Sequence, residues 1–185
     1  MASRGYKDAT SKTDLMSILT QCSACRMSTD AGKFIMTHTE LPNIKLKDYK
    51  KLPVLNFVIN TLSSPILDNN SSIGHWFNII ILRQSGNFHR AIIFNGLGDT
   101  ASDQTVMQNI NKFCSNNSLK CHNESVRYQR DESSLCGYVS LGVIAYTHGK
   151  KKLSDITRLK KIFLRNSVKT NENLILKIYH KHFKH

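Results

Sequence analysis

"HWFNIIILRQSGNFHRAIIFNGLG", residues 75–98, is the stretch on which the fold turns. Two apolar, β-branched runs, 75–83 and 89–95, flank "QSGNF" at 84–88, and that pattern predicts a β-hairpin. Upstream, "VLNFVINTL" (54–62) lies between Pro53 and Pro65 and reads as a buried strand, followed by a loop at 67–74. Downstream, residues 96–103 form a turn whose Ser102 or Asp103 caps a helix running to about Cys114. "SVRYQ" (125–129) reads as a short strand.

From Cys136 to Thr147 the apolar positions Val139, Leu141, Val143, Ile144 and Ala145 describe a buried helix that Gly149 ends. Two basic helices follow, near 152–165 and 171–182. At the other end, Thr13-Asp14 caps a helix carrying Leu15, Met16, Ile18 and Leu19, and residues 26–53 read as irregular, punctuated by Pro42 and Pro53. Helix, strands, helix, strand and helices in that order make an α+β fold, a small central mixed β-sheet packed against helices. One domain is expected over 1–185, with its core at about 54–148 and a basic helical extension at about 150–185.

A length of 185 residues with 40% hydrophobic side chains is enough for one domain with a substantial core. Apolar runs stop at four residues, as at Ile79–Leu82, which argues against a membrane span. The first fourteen residues lack the apolar middle of a secretory signal, so an intracellular setting is expected. Five cysteines in such a setting are expected to be free thiols. Cys22 and Cys25 form a CxxC. A structural zinc site needs four ligands, and Cys114 and Cys121 have the wrong spacing to complete one, so no metal is expected.

The net charge is +13, and residues 150–185 hold eleven Lys or Arg against Asp155 and Glu172. Such asymmetry points to an anionic partner, nucleic acid first, or to a solubilising helical surface.

Four positions combine into one chemistry. His75 opens a strand, Asn95 closes the next, Gln129 ends a third and Cys136 heads a helix. A cysteine at a helix N-terminus feels the positive end of the macrodipole, which favours the nucleophilic thiolate. Histidine can take the thiol proton and return it to a leaving amine. Asparagine can orient that ring, and the Gln129 amide with the Cys136 N–H can stabilise an oxyanion. Each residue alone has an ordinary structural explanation, so the weight rests on the combination.

The ordered set His75-Trp76, Asn95, Gln129 and Cys136-Gly137 resembles the adenovirus protease (adenain) superfamily, which includes SUMO-deconjugating enzymes and maturation proteases of large DNA viruses. The resemblance covers roughly residues 54–148. It implies a cysteine endopeptidase with a Cys136-His75-Asn95 triad, Gln129 at the oxyanion, and Trp76 and Gly137 beside the substrate. It implies no cofactor for the chemistry, with DNA or a peptide as activators, and capsid precursor proteins as substrates during maturation of an adenovirus- or virophage-type virus. The setting would be the virion and the host-cell interior, with no membrane partner. The family's third residue is commonly acidic and followed by Pro, whereas this chain has Asn95-Gly96, with Asp99 as the fallback orienter. Its activating peptide is disulfide-linked in a region comparable to Cys114 and Cys121. Two alternatives share parts of the pattern: a SUMO- or ubiquitin-deconjugating protease, and a non-catalytic basic nucleic-acid-binding module.

Overall fold

A computed structural model describes residues 12–21, 33–49, 54–62, 74–84, 86–98, 103–131, 134–147 and 153–183. In chain order these form α1 (Lys12–Thr20), β1 (Ile35–Thr37), β2 (Val54–Asn60), β3 (Trp76–Gln84), β4 (Asn87–Phe94), α2 (Gln104–Asn116), β5 (Lys120–Asn123), α3 (Cys136–Thr147), α4 (Leu153–Arg165) and α5 (Val168–His182). Two 3₁₀ turns, Leu41–Asn43 and Leu46–Tyr49, link β1 to β2. The predicted loop at 67–73, Ser102, Gly149, Cys22 and Cys25 lie outside the described residues.

The strands make one mixed sheet in the order β1-β2-β3-β4-β5, parallel at its two outer pairings and antiparallel at the two inner ones. The predicted hairpin is its centre. Ile79, Ile80 and Ile81 are all wholly buried, so β3 meets apolar packing on both faces, as an unbroken isoleucine run requires. At the turn end of β4 the pattern changes: Asn87, His89 and Arg90 are exposed, and burial begins at Ala91.

Helices cover both faces. Directly paired residues of antiparallel strands share a face, so Phe57 and its partner Ile79 look one way, while Asn56 and Ile80 look the other. On the first face Phe57 meets Phe113 of α2, ring centroids 6.3 Å apart. On the second, Asn56 donates to Thr147 Oγ1 of α3 at 2.9 Å, and Asn78 donates to Ser140 O of α3 at 3.2 Å. α3 is buried at every residue except Tyr146, which accounts for its lack of a polar stripe. Its other side is covered by α5, so closely that a Cβ on Gly142 would stand 2.6 Å from Ile175 Cγ2 and 2.8 Å from Ile175 O. α5 is thus packed on the helix that Cys136 heads, Ile175 and Tyr179 being wholly buried.

The N-cap of α2 is Asp103, whose side chain accepts from Val106 N at 3.1 Å, one of the two residues expected there. Three expectations need correction. Residues 35–37 are a strand inside the supposedly irregular segment. The strand after α2 is Lys120–Asn123, not 125–129, which makes only a single bridge between Leu97 and Arg127. Cys114 and Cys121 are not free: a disulfide joins the end of α2 to β5, with Cα atoms 6.2 Å apart. No helix among the described residues is long and apolar enough to cross a membrane.

Candidate active site

Cys136 is the first residue of α3 and is 7% exposed. Its sulfur lies against the backbone N–H groups of Trp76, Gly137 and Cys136 itself, which favour the thiolate. Burial opposes them and prevails, so the thiol is pushed above its ordinary value. The helix N-terminus therefore does not supply a resting thiolate as expected from the sequence. Desolvation outweighs the dipole, and Cys136 waits as a thiol.

The contact with Trp76 N–H brings Cys136 to the entry of β3, where His75 sits. Gly74 makes that entry possible. Its φ is +59°, and a Cβ there would fall 2.3 Å from Asn60 Oδ1 and 2.6 Å from Leu62 Cγ. His75 N then donates to Thr61 Oγ1 at 2.9 Å, and Thr61 N donates to His75 O at 3.0 Å, fixing the backbone of His75 to the end of β2.

The His75 ring meets Asn95 with Nε2 2.7 Å from Oδ1. A second bond settles the proton. Leu97 N–H donates to the same Oδ1 at 3.1 Å, so that atom is the amide's carbonyl oxygen. His75 must then donate from Nε2, and in the neutral ring Nδ1 keeps the lone pair. Burial lowers the His75 pKa, against the pull of the Asn95 bond, and the imidazole is neutral at pH 7. Asn95 is held in turn by Ser125 Oγ, which accepts from Asn95 N at 3.2 Å. The fallback Asp99 lies outside the described residues.

Gln129 is 2% exposed and is drawn to the same corner by the residue after Asn95. Tyr128 N and Gln129 N both donate to Gly96 O at 2.9 Å, and this turning of two amides onto one carbonyl leaves residues 125–129 no ladder to join. A Cβ on Gly96 would stand 3.0 Å from Tyr128 Cε2 and 3.2 Å from Gln129 Cβ and Oε1. Asn95-Gly96 thus grips His75 with one residue and Gln129 with the next. A bulkier second residue would push the Gln129 side chain away.

His75 and Asn95 are thus bonded directly, while Cys136 and Gln129 are tied to the same corner through Trp76 and Gly96, the residues that follow that pair. Gly137 supplies its N–H to the sulfur. The Trp76 indole, 1% exposed, belongs to the core, and what Trp76 brings to the site is its backbone N–H. The sequence reading missed the supporting amides. Asn78 Nδ2 donates to Asn56 Oδ1 at 2.8 Å as well as to Ser140 O, so β2, β3 and the first turns of α3 are locked together. The available signal was asparagine in mid-strand, in "VLNFVIN" and "WFNIII".

No family model and no curated protein matches the sequence. Solved structures do match in shape. The chain is similar to AvrA (the delL154 form, with IP6 and CoA) at TM-score 0.51 and 20% identity, over 88% of this chain and 57% of AvrA. It is also similar to the ASFV pS273R protease at TM-score 0.50 and 11% identity, over 98% of this chain and 70% of the protease. The chain shares its α+β architecture with these two structures. At these identities the likeness speaks for the architecture alone, and the chain spans little more than half the length of AvrA. Within that fold, the chemistry rests on this chain's own residues.

Proposed function

We propose that this protein is a thiol endopeptidase in which Cys136 attacks, His75 is base and then acid, Asn95 orients the ring, and Gln129 with the Cys136 N–H binds the oxyanion. The observation that carries this reading is the doubly bonded Asn95 Oδ1, which places the His75 proton on Nε2 and leaves Nδ1 basic beside the entry of β3, where Trp76 N–H meets the sulfur.

Nδ1 accepts the thiol proton as sulfur bonds to the scissile carbonyl carbon, and the carbonyl π pair moves onto oxygen. The tetrahedral oxyanion collapses, the C–N bond breaks, and the His75 proton passes to the departing nitrogen. Water, deprotonated by the same ring, then attacks the thioester and regenerates the thiol. Burial leaves both groups neutral at rest, so stabilisation of the oxyanion is asked to supply much of the acceleration.

The substrate we propose is a viral precursor protein, consistent with the likeness to the ASFV protease. Exposed Arg158, Lys161, Arg165, Lys169, Lys177 and Lys181 on α4 and α5 suit binding to nucleic acid that weakens steeply with salt. A disulfide-borne activating peptide would have to displace the Cys114–Cys121 bond. A second reading, transfer of an acyl group from a thioester to an amine, draws on the CoA in the AvrA structure.

The test is covalent capture. The purified protein is offered capsid-derived peptides, fluorogenic ubiquitin and SUMO, and acetyl-CoA, with mass spectrometry at Cys136. Peptide turnover that vanishes in Cys136→Ala supports the endopeptidase. Cleavage confined to the modifiers favours deconjugation, an acetyl group arriving from acetyl-CoA favours transfer, and no acylation by any of them sinks the enzymatic reading.

A further inference from the structure

The basic C-terminal helices reach the residues on either side of Gln129. Glu172 of α5 is 1% exposed, yet it is surrounded by donors from one residue. Arg130 N donates to its Oε2 at 3.1 Å, while Arg130 Nε and Nη2 donate to Oε1 at 3.0 and 2.9 Å. That backbone N–H is the next one along from Gln129. On the other side of Gln129, Tyr128 is stacked on Phe163 of α4 at 4.6 Å and on Phe94 at 5.2 Å. Phe94 directly precedes Asn95. Each neighbour of Gln129 is therefore held by a different C-terminal helix.

A carboxylate that served only to glue α5 in place would be a poor choice. Burying it is costly, and an apolar residue of similar volume would pack as well or better. What a carboxylate adds is direction, since it receives the fork of an arginine and a main-chain amide in one fixed geometry. Phe163 fixes the opposite flank by stacking. We infer that α4 and α5 position Gln129 for oxyanion binding, with Glu172 as the positioning residue that acts through Arg130 and Phe163 as its counterpart through Tyr128. The inference rests on the reading of Gln129 as an oxyanion donor. It gives the basic segment two separate jobs on two faces, solvated lysines outward and Glu172, Phe163 and Ile175 inward.

Two reagents separate positioning from general damage. p-Nitrophenyl acetate acylates Cys136 through an oxyanion, whereas iodoacetamide alkylates it without one, and Cys136→Ala supplies the blank for both. Glu172→Gln is expected to slow acylation about 10-fold or more, within the range of losing an oxyanion donor, while alkylation changes less than about twofold. Gln129→Ala is expected to do the same, and the double variant to lose nothing further. Equal losses with both reagents, or additive losses in the double variant, would overturn the inference. If Gln129→Ala acylates normally, the oxyanion role itself fails and the positioning role goes with it. If Gln129→Ala is slow while Glu172→Gln is not, only the positioning role fails. Should Glu172→Gln fail to fold, Arg130→Lys decides, because that side chain is 43% exposed and only the fork is lost. A selective fall in its acylation supports the inference, and none overturns it.

Discussion

The two faces of the central sheet are built on different principles. The face against α2 is oil: Phe57, Ile79 and Ile81 pack toward Ile110 and Phe113, all wholly buried. The face against α3 carries apolar residues too, but it also buries Asn56, Asn78, Ser140 and Thr147, joined by hydrogen bonds. Apolar packing stabilises without caring much about half an ångström, because its attraction is non-directional. Hydrogen bonds between buried amides are directional and costly to leave unmade. The polar face is the one that must hold Cys136 in place relative to His75, and the directional contacts sit there.

The sharpest way to set the faces apart begins with Cys136. Cys136→Ala should abolish acylation by p-nitrophenyl acetate altogether while leaving the melting temperature close to that of the parent. Next come paired substitutions, one per face. Asn78→Leu keeps the branched outline but drops the bonds to Asn56 and Ser140, and should slow Cys136 acylation about 10-fold, on the scale of a small misplacement of reacting groups. Phe57→Leu should cost about 1–3 kcal/mol of stability by thermal or urea unfolding, with acylation per folded molecule unchanged. If Phe57→Leu slowed acylation as much as Asn78→Leu, the division of labour between the faces would be wrong.

Smaller effects concern charge. Asn95→Asp puts a carboxylate against His75 and should raise the imidazole pKa and lower that of the thiol. The pH profile of alkylation should then move toward acid by about one unit or more, and a profile that stays put would remove Asn95 from the ring's control. The smallest effect is on stability. His75 has a folded-state pKa depressed below the ordinary 6.5, so the unfolded chain binds its proton first as pH falls. Stability should be indifferent to this group above pH 6.5, decline as pH drops below it, and level off beneath the depressed value. The loss should be absent from His75→Gln in urea titrations at pH 7.5 and 5.

The central hairpin and α3 were legible because each stands on a strong local pattern, an isoleucine run broken by Ser85-Gly86-Asn87 and an apolar stretch beginning at Cys136. β5 was not, since "KCHN" on a sheet edge has an exposed and unpatterned surface, and nothing local distinguishes it from a loop. β1 spans only three residues between turns. The order of His75, Asn95, Gln129 and Cys136 was readable, and so was Asn95 as the ring's partner. The protonation state was not, because the helix N-terminus is visible in sequence while the burial of Cys136 is a property of the assembled core. Glu172 and Arg130 lie forty-two residues apart, and no local pattern pairs them before the fold joins them.

The close approach of Gly142 to Ile175 has a consequence in time. A ribosome that has released Thr147 has made Cys136, His75, Asn95 and Gln129, but not the helix that covers Gly142 of α3. Gly142 stays uncovered by it until residues 168–182 emerge and Ile175 seats there. The seating of the helix that carries Cys136 is thereby tied to the making of the fifth helix.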